Sequence, residues 1–190
     1  MCDMYSVKFY KGNYRDRQRE ANRDKAVCYV EHHFNSCSDP SIGYCVVIVG
    51  SNASKTSIGW GRFYSRLVSR EFVIPVGGDD GVKIGGFGGR GDSNIRFTHM
   101  PAILLEPLFA SNPRHAEIIR DDEGQNKLAE ILVESIRKIF PNGGLVAFSV
   151  GHKYKKSNPL DRGALLHGGG TEADYAEIVL IKAKDILSNL

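Results

Sequence analysis

Apolar residues in this chain fall into short runs, separated by longer stretches in which they recur every three or four positions, a pattern of strands alternating with amphipathic helices. Val7 to Tyr10 predicts a short strand, and the polar run 13–25 (NYRDRQREANRDK), rich in helix formers after Asn13, predicts a surface helix. Residues 26–34 (AVCYVEHHF) have a β-branched and aromatic character, and 44–49 (YCVVIV) form a nearly continuous apolar run, as in a strand buried on both faces. Between Lys55 and Arg70, Ile58, Phe63, Leu67 and Val68 recur at helical spacing. The stretch 77–92 (GGDDGVKIGGFGGRGD) is dense in Gly and Asp and predicts loop or hairpin.

The second half repeats the alternation. Residues 100–105 (MPAILL) predict a strand, and 126–140 a helix with Leu128, Ile131, Leu132, Ile136 and Ile139 on one face, ending at Pro141, Asn142 and Gly143. Residues 145–150 (LVAFSV) return to strand, and Glu172 to Leu187 predicts a final helix with Tyr175, Ile178, Val179, Ile186 and Leu187 inward. Thr171 and Asp174 have the spacing of a capping box, which starts that helix at Glu172. The sum is an α/β fold: a single domain with a mainly parallel twisted sheet flanked by helices, and no linker dividing it.

Composition narrows the function. With 190 residues, 42% of them hydrophobic, the chain has material for one sizeable core. Its 25 Lys and Arg against 22 Asp and Glu leave a formal charge of +3, too small to argue for a nucleic-acid partner. No apolar run approaches the roughly 20 residues of a membrane span, and the first 20 residues lack a signal-peptide core, so a cytoplasmic start is expected. The four cysteines, at positions 2, 28, 37 and 45, show no CxxC spacing and read as reduced thiols.

Candidate chemistry gathers at strand ends. His152 follows the LVAFSV strand, where open α/β sheets place their sites. Glu172 lies in a first helical turn, and Glu106 directly follows MPAILL. His32 and His33 end a strand whose alternation sends them to opposite faces, so that His33 shares a face with Glu31 and Asn35, and His32 with Val30 and Phe34. Each residue alone has a plainer explanation: surface histidine, helix-dipole carboxylate, core pair. Together, two histidines and a carboxylate with an open fourth position make a catalytic zinc set, and an unligated Glu beside it makes a proton carrier.

Four blocks resemble the zinc-dependent N-acetylmuramoyl-L-alanine amidases of α/β fold found among bacterial autolysins and phage endolysins. SVGH at 149–152, GA at 163–164 and GTEADYAEIVL at 170–180 resemble that family's opening strand, metal His and metal Glu. REANRDKAVCYVEHHFNS at 19–36 resembles its middle block, in which an Arg and an Ala-Asn pair precede a strand ending in the second metal His and an Asn. MPAILLEPLFASNPRHAEII at 100–119 resembles the late strand with the catalytic Glu, and 126–139 its closing helix. The opening block stands last here while the others keep their order, which implies a circularly permuted amidase-like topology. One catalytic domain then fills 1–190, with 1–140 resembling the family's middle and C-terminal parts and 144–190 its N-terminal part, joined through PNGG at 141–144. In two respects the chain departs from the family: Lys153 and Tyr154 stand where Gly-Gly usually follows the first His, and the interval from His152 to Glu172 is longer.

The resemblance implies Zn2+ held by His152, Glu172 and His33, with Glu106 as catalytic acid/base. It implies hydrolysis of the amide between N-acetylmuramic acid and L-alanine in peptidoglycan or muropeptides. Arg62, Lys153, Lys155 and Lys156 are candidates for stem-peptide carboxylates, and Asn35 for orienting His33 or the substrate. A cytoplasmic chain reaches the wall only by phage-type release or a non-Sec route, or acts on wall fragments. Two alternatives stay open: a zinc peptidase on other peptides, and a non-catalytic wall-binding module. RGD at 90–92 and GGFGG at 85–89 need only turn chemistry.

Overall fold

In the computed structural model, which describes residues 4–190, a six-stranded sheet organises the chain. Its strands are β1 (Tyr5–Phe9), β2 (Cys28–His32), β3 (Val46–Val49), β4 (Val82–Ile84), β5 (Ala102–Glu106) and β6 (Gly144–Val150). They lie in the order β1-β6-β2-β5-β3-β4, parallel at every pairing except β3 with β5. The helices are α1 (Tyr14–Arg23), α2 (Lys55–Phe72), α3 (Pro113–Arg120), α4 (Asp122–Ile139) and α5 (Glu172–Ser188).

β2 is buried along its whole length because it hydrogen-bonds β6 on one side and β5 on the other, with both faces covered. Period-two alternation divides its side chains between two cores. Cys28, Val30 and Phe34 join Ile103, Leu105 and Phe148 beneath α2, α4 and α5. Tyr29 joins Ala147, Ile48 and Leu104 on the opposite face, where Ala21 of α1 and Ile95 close over them. Each large apolar side chain so buried contributes about 1.5–3 kcal/mol.

The Gly-rich stretch 77–92 is not all loop, since Val82–Ile84 pairs in parallel with β3 as an edge strand. A helix not foreseen, α3, forms where Asn112 accepts a hydrogen bond from the backbone N–H of His115 and Pro113 occupies the first turn. Asp121 caps the start of α4, which begins before the predicted Asn126. On α5 the inward face is Ala173, Ala176, Val179, Leu180, Ala183 and Leu187, whereas Ile178 is 36% exposed. The small alanines let α5 approach its neighbours closely, which a search for large apolar residues overlooks. The polar run of α1 is not wholly surface either: Arg17 and Gln18 are buried.

After α4, residues 140–143 turn directly into β6. Gly143 has φ 73°, and a Cβ there would lie 1.8 Å from the Met4 carbonyl oxygen, so the turn needs glycine. Cys28 and Cys45 are buried free thiols and Cys37 an exposed one, while Cys2 lies outside the described residues. No helix among the described residues is long and apolar enough to cross a membrane.

Candidate metal centre

β6, β2 and β5 are adjacent and run the same way, so their carboxyl ends meet at one edge of the sheet. His33 follows β2 directly, Glu106 closes β5, and His152 comes two residues after β6. Glu172 enters from the first turn of α5, whose start is fixed by Thr171 accepting from the backbone N–H of Asp174.

There one donor atom each from His33, His152 and Glu172 lies within 4.8 Å of the others. Glu172 Oε1 is 3.1 Å from His33 Nδ1 and 3.1 Å from His152 Nε2. Its other oxygen accepts from the backbone N–H of Ala164 at 2.8 Å, which holds the carboxylate in place. Close approach depends on two glycines. A Cβ at Gly151 would come 2.4 Å from the His33 ring, and one at Gly163, whose φ is 70°, would come 2.4 Å from the Glu172 carboxyl carbon.

The far side of each imidazole is also occupied by an acid. His33 Nε2 is 2.9 Å from Glu31 Oε1, and His152 Nδ1 is 3.0 Å from both oxygens of Asp161. Burial alone would lower His33, but its hydrogen bonds to Glu172 and Glu31 outweigh that and raise it to about 10. Burial opposes ionisation of Glu172, yet the two histidines hold it down to about 2. Two imidazoles and a carboxylate converging on one point, each backed by a second polar group, fit a zinc ion and its preference for nitrogen and oxygen donors.

Glu106 differs in kind. Its Oε2 is shut off from solvent and has no hydrogen-bond partner in the protein. Burial pushes its carboxyl up to about 7; Glu172 acts in the same direction, while His33, His152 and Arg90 hold it back. A carboxyl poised there can take and return a proton. It lines a cavity of about 420 Å³ together with His33, His152, Glu172, Tyr14, Arg90 and Lys155.

Of the candidates for substrate contact, Asn35 lines this cavity. Lys153 does not; its ammonium bonds Asp174 at 2.8 Å and Glu177 at 2.7 Å on α5. Arg62 does not either, since on α2 it pairs with Asp79 at 2.5 Å, beside the edge strand β4. Both are corrections: neither side chain lines the cavity, and acids on neighbouring elements hold each cation away from it. Lys155 and Arg90 are the basic groups that do line the cavity, Lys155 in contact with Asp161.

Two residues of the site carried no individual signal. Asp161 precedes the Gly163-Ala164 pair, and an acid so near a recognised block was the only available cue. Arg17 is fully buried and donates to Gly12 O (2.7 Å), Ser149 Oγ (2.8 Å), Val150 O (2.7 Å) and Lys153 O. It thereby fastens the turn in which His152 takes a left-handed φ of 61°.

The sequence model of a family described as N-acetylmuramoyl-L-alanine amidase matches residues 4–138. That span includes His33 and Glu106 and stops before β6, His152 and Glu172. No match is found among curated proteins. Solved structures share the fold. The catalytic domain of CwlV, an N-acetylmuramoyl-L-alanine amidase of Bacillus (Paenibacillus) polymyxa var. colistinus, is 24% identical with a TM-score of 0.56, over 68% of this chain and 66% of that one. The N-acetylmuramoyl-L-alanine amidase of Clostridium difficile 630 is 20% identical with a TM-score of 0.58, over the same shares. The chain thus spans just under two thirds of the length of these structures.

Proposed function

The chain belongs to the N-acetylmuramoyl-L-alanine amidase family, and on that premise we propose that it hydrolyses the amide joining N-acetylmuramic acid to L-alanine in peptidoglycan or its fragments. In this reading His33 Nδ1, His152 Nε2 and Glu172 Oε1 hold a zinc ion. Zinc, when bound, lowers the pKa of a water molecule towards about 7 and polarises the scissile carbonyl.

The remaining work falls to the chain's own residues. The Glu106 carboxylate accepts the proton of the attacking water and returns it to the departing nitrogen of L-alanine. It shares the cavity with Tyr14, Phe34 and Phe87, and no protein group hydrogen-bonds its Oε2. Arg90, exposed at the cavity, and Lys155 supply positive charge for the carboxylates of a stem peptide. The observation that carries this reading is that Glu106 lines the same cavity as the converging His33, His152 and Glu172. Glu106→Gln should retain one equivalent of zinc and lose about 10²–10⁴-fold in release of stem peptide from muropeptides. Full turnover by that variant would remove Glu106 from the role, and equal cleavage of plain peptides would favour a peptidase.

The same reading makes the chain a circular permutant, with 144–190 corresponding to the family's opening. In support, the family match ends at Lys138, although β6 lies inside the sheet and the segment beyond carries two of the three donors. α5 packs against β1, its successor in the family's order. A gene re-cut to begin at Gly144, with Leu190 linked to the segment preceding β1, should yield a protein of similar melting temperature and zinc content. Failure of that protein to fold would count against permutation.

A further inference from the structure

We propose that Glu31 is the positioning residue of this centre: its buried carboxylate fixes the tautomer and ring plane of His33, so that Nδ1 is left for the metal. The inference rests on the zinc reading above and deepens it.

The geometry starts from strand alternation. Glu31 and His33 lie two residues apart and so project from the same face of the chain, and Glu31 Oε1 meets His33 Nε2 at 2.9 Å. An ionised carboxylate has no hydrogen to offer, so the hydrogen of that bond sits on Nε2. As a metal ligand the imidazole is neutral and carries only one N–H, which leaves Nδ1 as the lone-pair donor. Nδ1 is the nitrogen facing Glu172, and through Glu172 it faces His152.

Glu31 itself is held from several directions. Asn94 Nδ2 donates to Oε1 at 2.7 Å and Ser149 Oγ donates to Oε2 at 2.8 Å, with Tyr29 OH at 3.4 Å. Arg17 Nη1 donates to Ser149 Oγ at 2.8 Å, which directs the serine's own hydrogen at Glu31. A chain of polar contacts therefore runs from α1 through β6 and β2 to the metal point. The Asn94 contact attaches to the same carboxylate the loop that supplies Phe87, Arg90 and Gly91 to the cavity wall. A carboxylate with 0% exposure is unfavourable to bury, and packing alone does not call for one at this position. The histidine it faces supplies the reason.

The test is zinc affinity near neutral pH, by competition with a chelator of known strength, on wild type and Glu31→Gln. The substituted amide can accept from Nε2 or, rotated, donate to it, so the tautomer is no longer fixed. We expect binding weaker by about 10–100-fold and a changed visible spectrum of the Co2+-loaded protein, with the far-ultraviolet circular dichroism of the metal-free protein preserved. Equal affinity and an identical Co2+ spectrum would overturn the proposal. Should Glu31→Gln fail to fold, Ser149→Ala removes one donor while keeping the charge: several-fold weaker binding supports the role, and unchanged affinity and spectrum overturn it. Wild-type protein that takes up no zinc would overturn the reading of the centre itself, and this inference with it.

Discussion

The two histidines of the centre are presented by opposite kinds of structure. His33 sits at the end of the most buried strand, its side chain 7% exposed, with its backing acid two residues away on the same strand. His152 sits in a left-handed turn, its side chain 30% exposed, with its backing acid Asp161 nine residues on in a loop. Regular backbone holds the first arrangement. The second needs a glycine cradle at Gly163, the Arg17 clasp and the Lys155 contact with Asp161. Equivalent chemistry can thus be set mainly by strand alternation, with Gly151 leaving room for the His33 ring, or by an assembly of local devices, and the two halves should fail differently.

Removing the imidazoles gives the largest difference. In metal-free protein, His33→Ala strips a partner from two buried acids and should cost about 3 kcal/mol of unfolding free energy. His152→Ala leaves Asp161 with Lys155 and lets solvent in, and should cost about 1 kcal/mol. Urea unfolding in the presence of a chelator measures both, and equal losses would erase the distinction drawn here. Tight zinc binding should disappear in either variant.

The pH dependence of metal-free stability sharpens the contrast. His33 is raised from 6.5 to about 10, so its contribution is whole below pH 6.5 and is lost as pH rises to about 10. Glu106, raised from 4.5 to about 7, has the same sign, whole below 4.5 and lost through about 7. The buried ring of His32 is lowered to about 3, so stability falls as pH drops from 6.5 and the unfolded chain takes up a proton. Glu172, lowered from 4.5 to about 2, contributes fully above 4.5 and is lost on acidification towards 2. Between pH 4.5 and 6.5 the Glu106 and His32 effects nearly offset each other, and His115, which burial lowers to about 4, leaves stability rising with pH there. Stability should decline above pH 7 and below 4.5, by about 1.4 kcal/mol per pH unit for each proton. Denaturant midpoints across pH measure it. The alkaline slope above pH 7 should become shallower in His33→Ala, the remainder coming from His152, which, against the effect of burial, its hydrogen bonds to Glu172 and Asp161 also raise. An unchanged slope would assign it wholly to the His152 half.

Smaller effects follow from the loop. Asp161→Asn should weaken zinc by about 10-fold, at the mild end for a backing acid, because its site is partly open to water. Lys153→Ala should lower stability by about 1 kcal/mol or less through its lost contacts with Asp174 and Glu177, and leave muropeptide cleavage unchanged. A raised KM for that variant would instead put Lys153 on the substrate.

In the strand-borne half, period-two alternation pairs Glu31 with His33 and separates His32, while the choice of His33 as a ligand came from resemblance to a family. The loop-borne half became legible only through resemblance to a family, since no periodicity relates His152, Asp161 and Glu172 across an irregular path. Charge misleads in both directions. Arg17, in a run that reads as solvated, is the most enclosed cation of the site, whereas Lys153 and Arg62 are claimed by acids that only the fold brings near. The α5 face was misjudged at Ile178 because close packing there is made by alanines.

A crystal structure of the zinc-loaded protein tests the central claim most directly. The account predicts one ion bonded at about 2.0–2.2 Å to His33 Nδ1, His152 Nε2 and Glu172, with Glu106 unligated beside its open position. An ion held by other residues, or one that reaches only one of the two histidines, would contradict it.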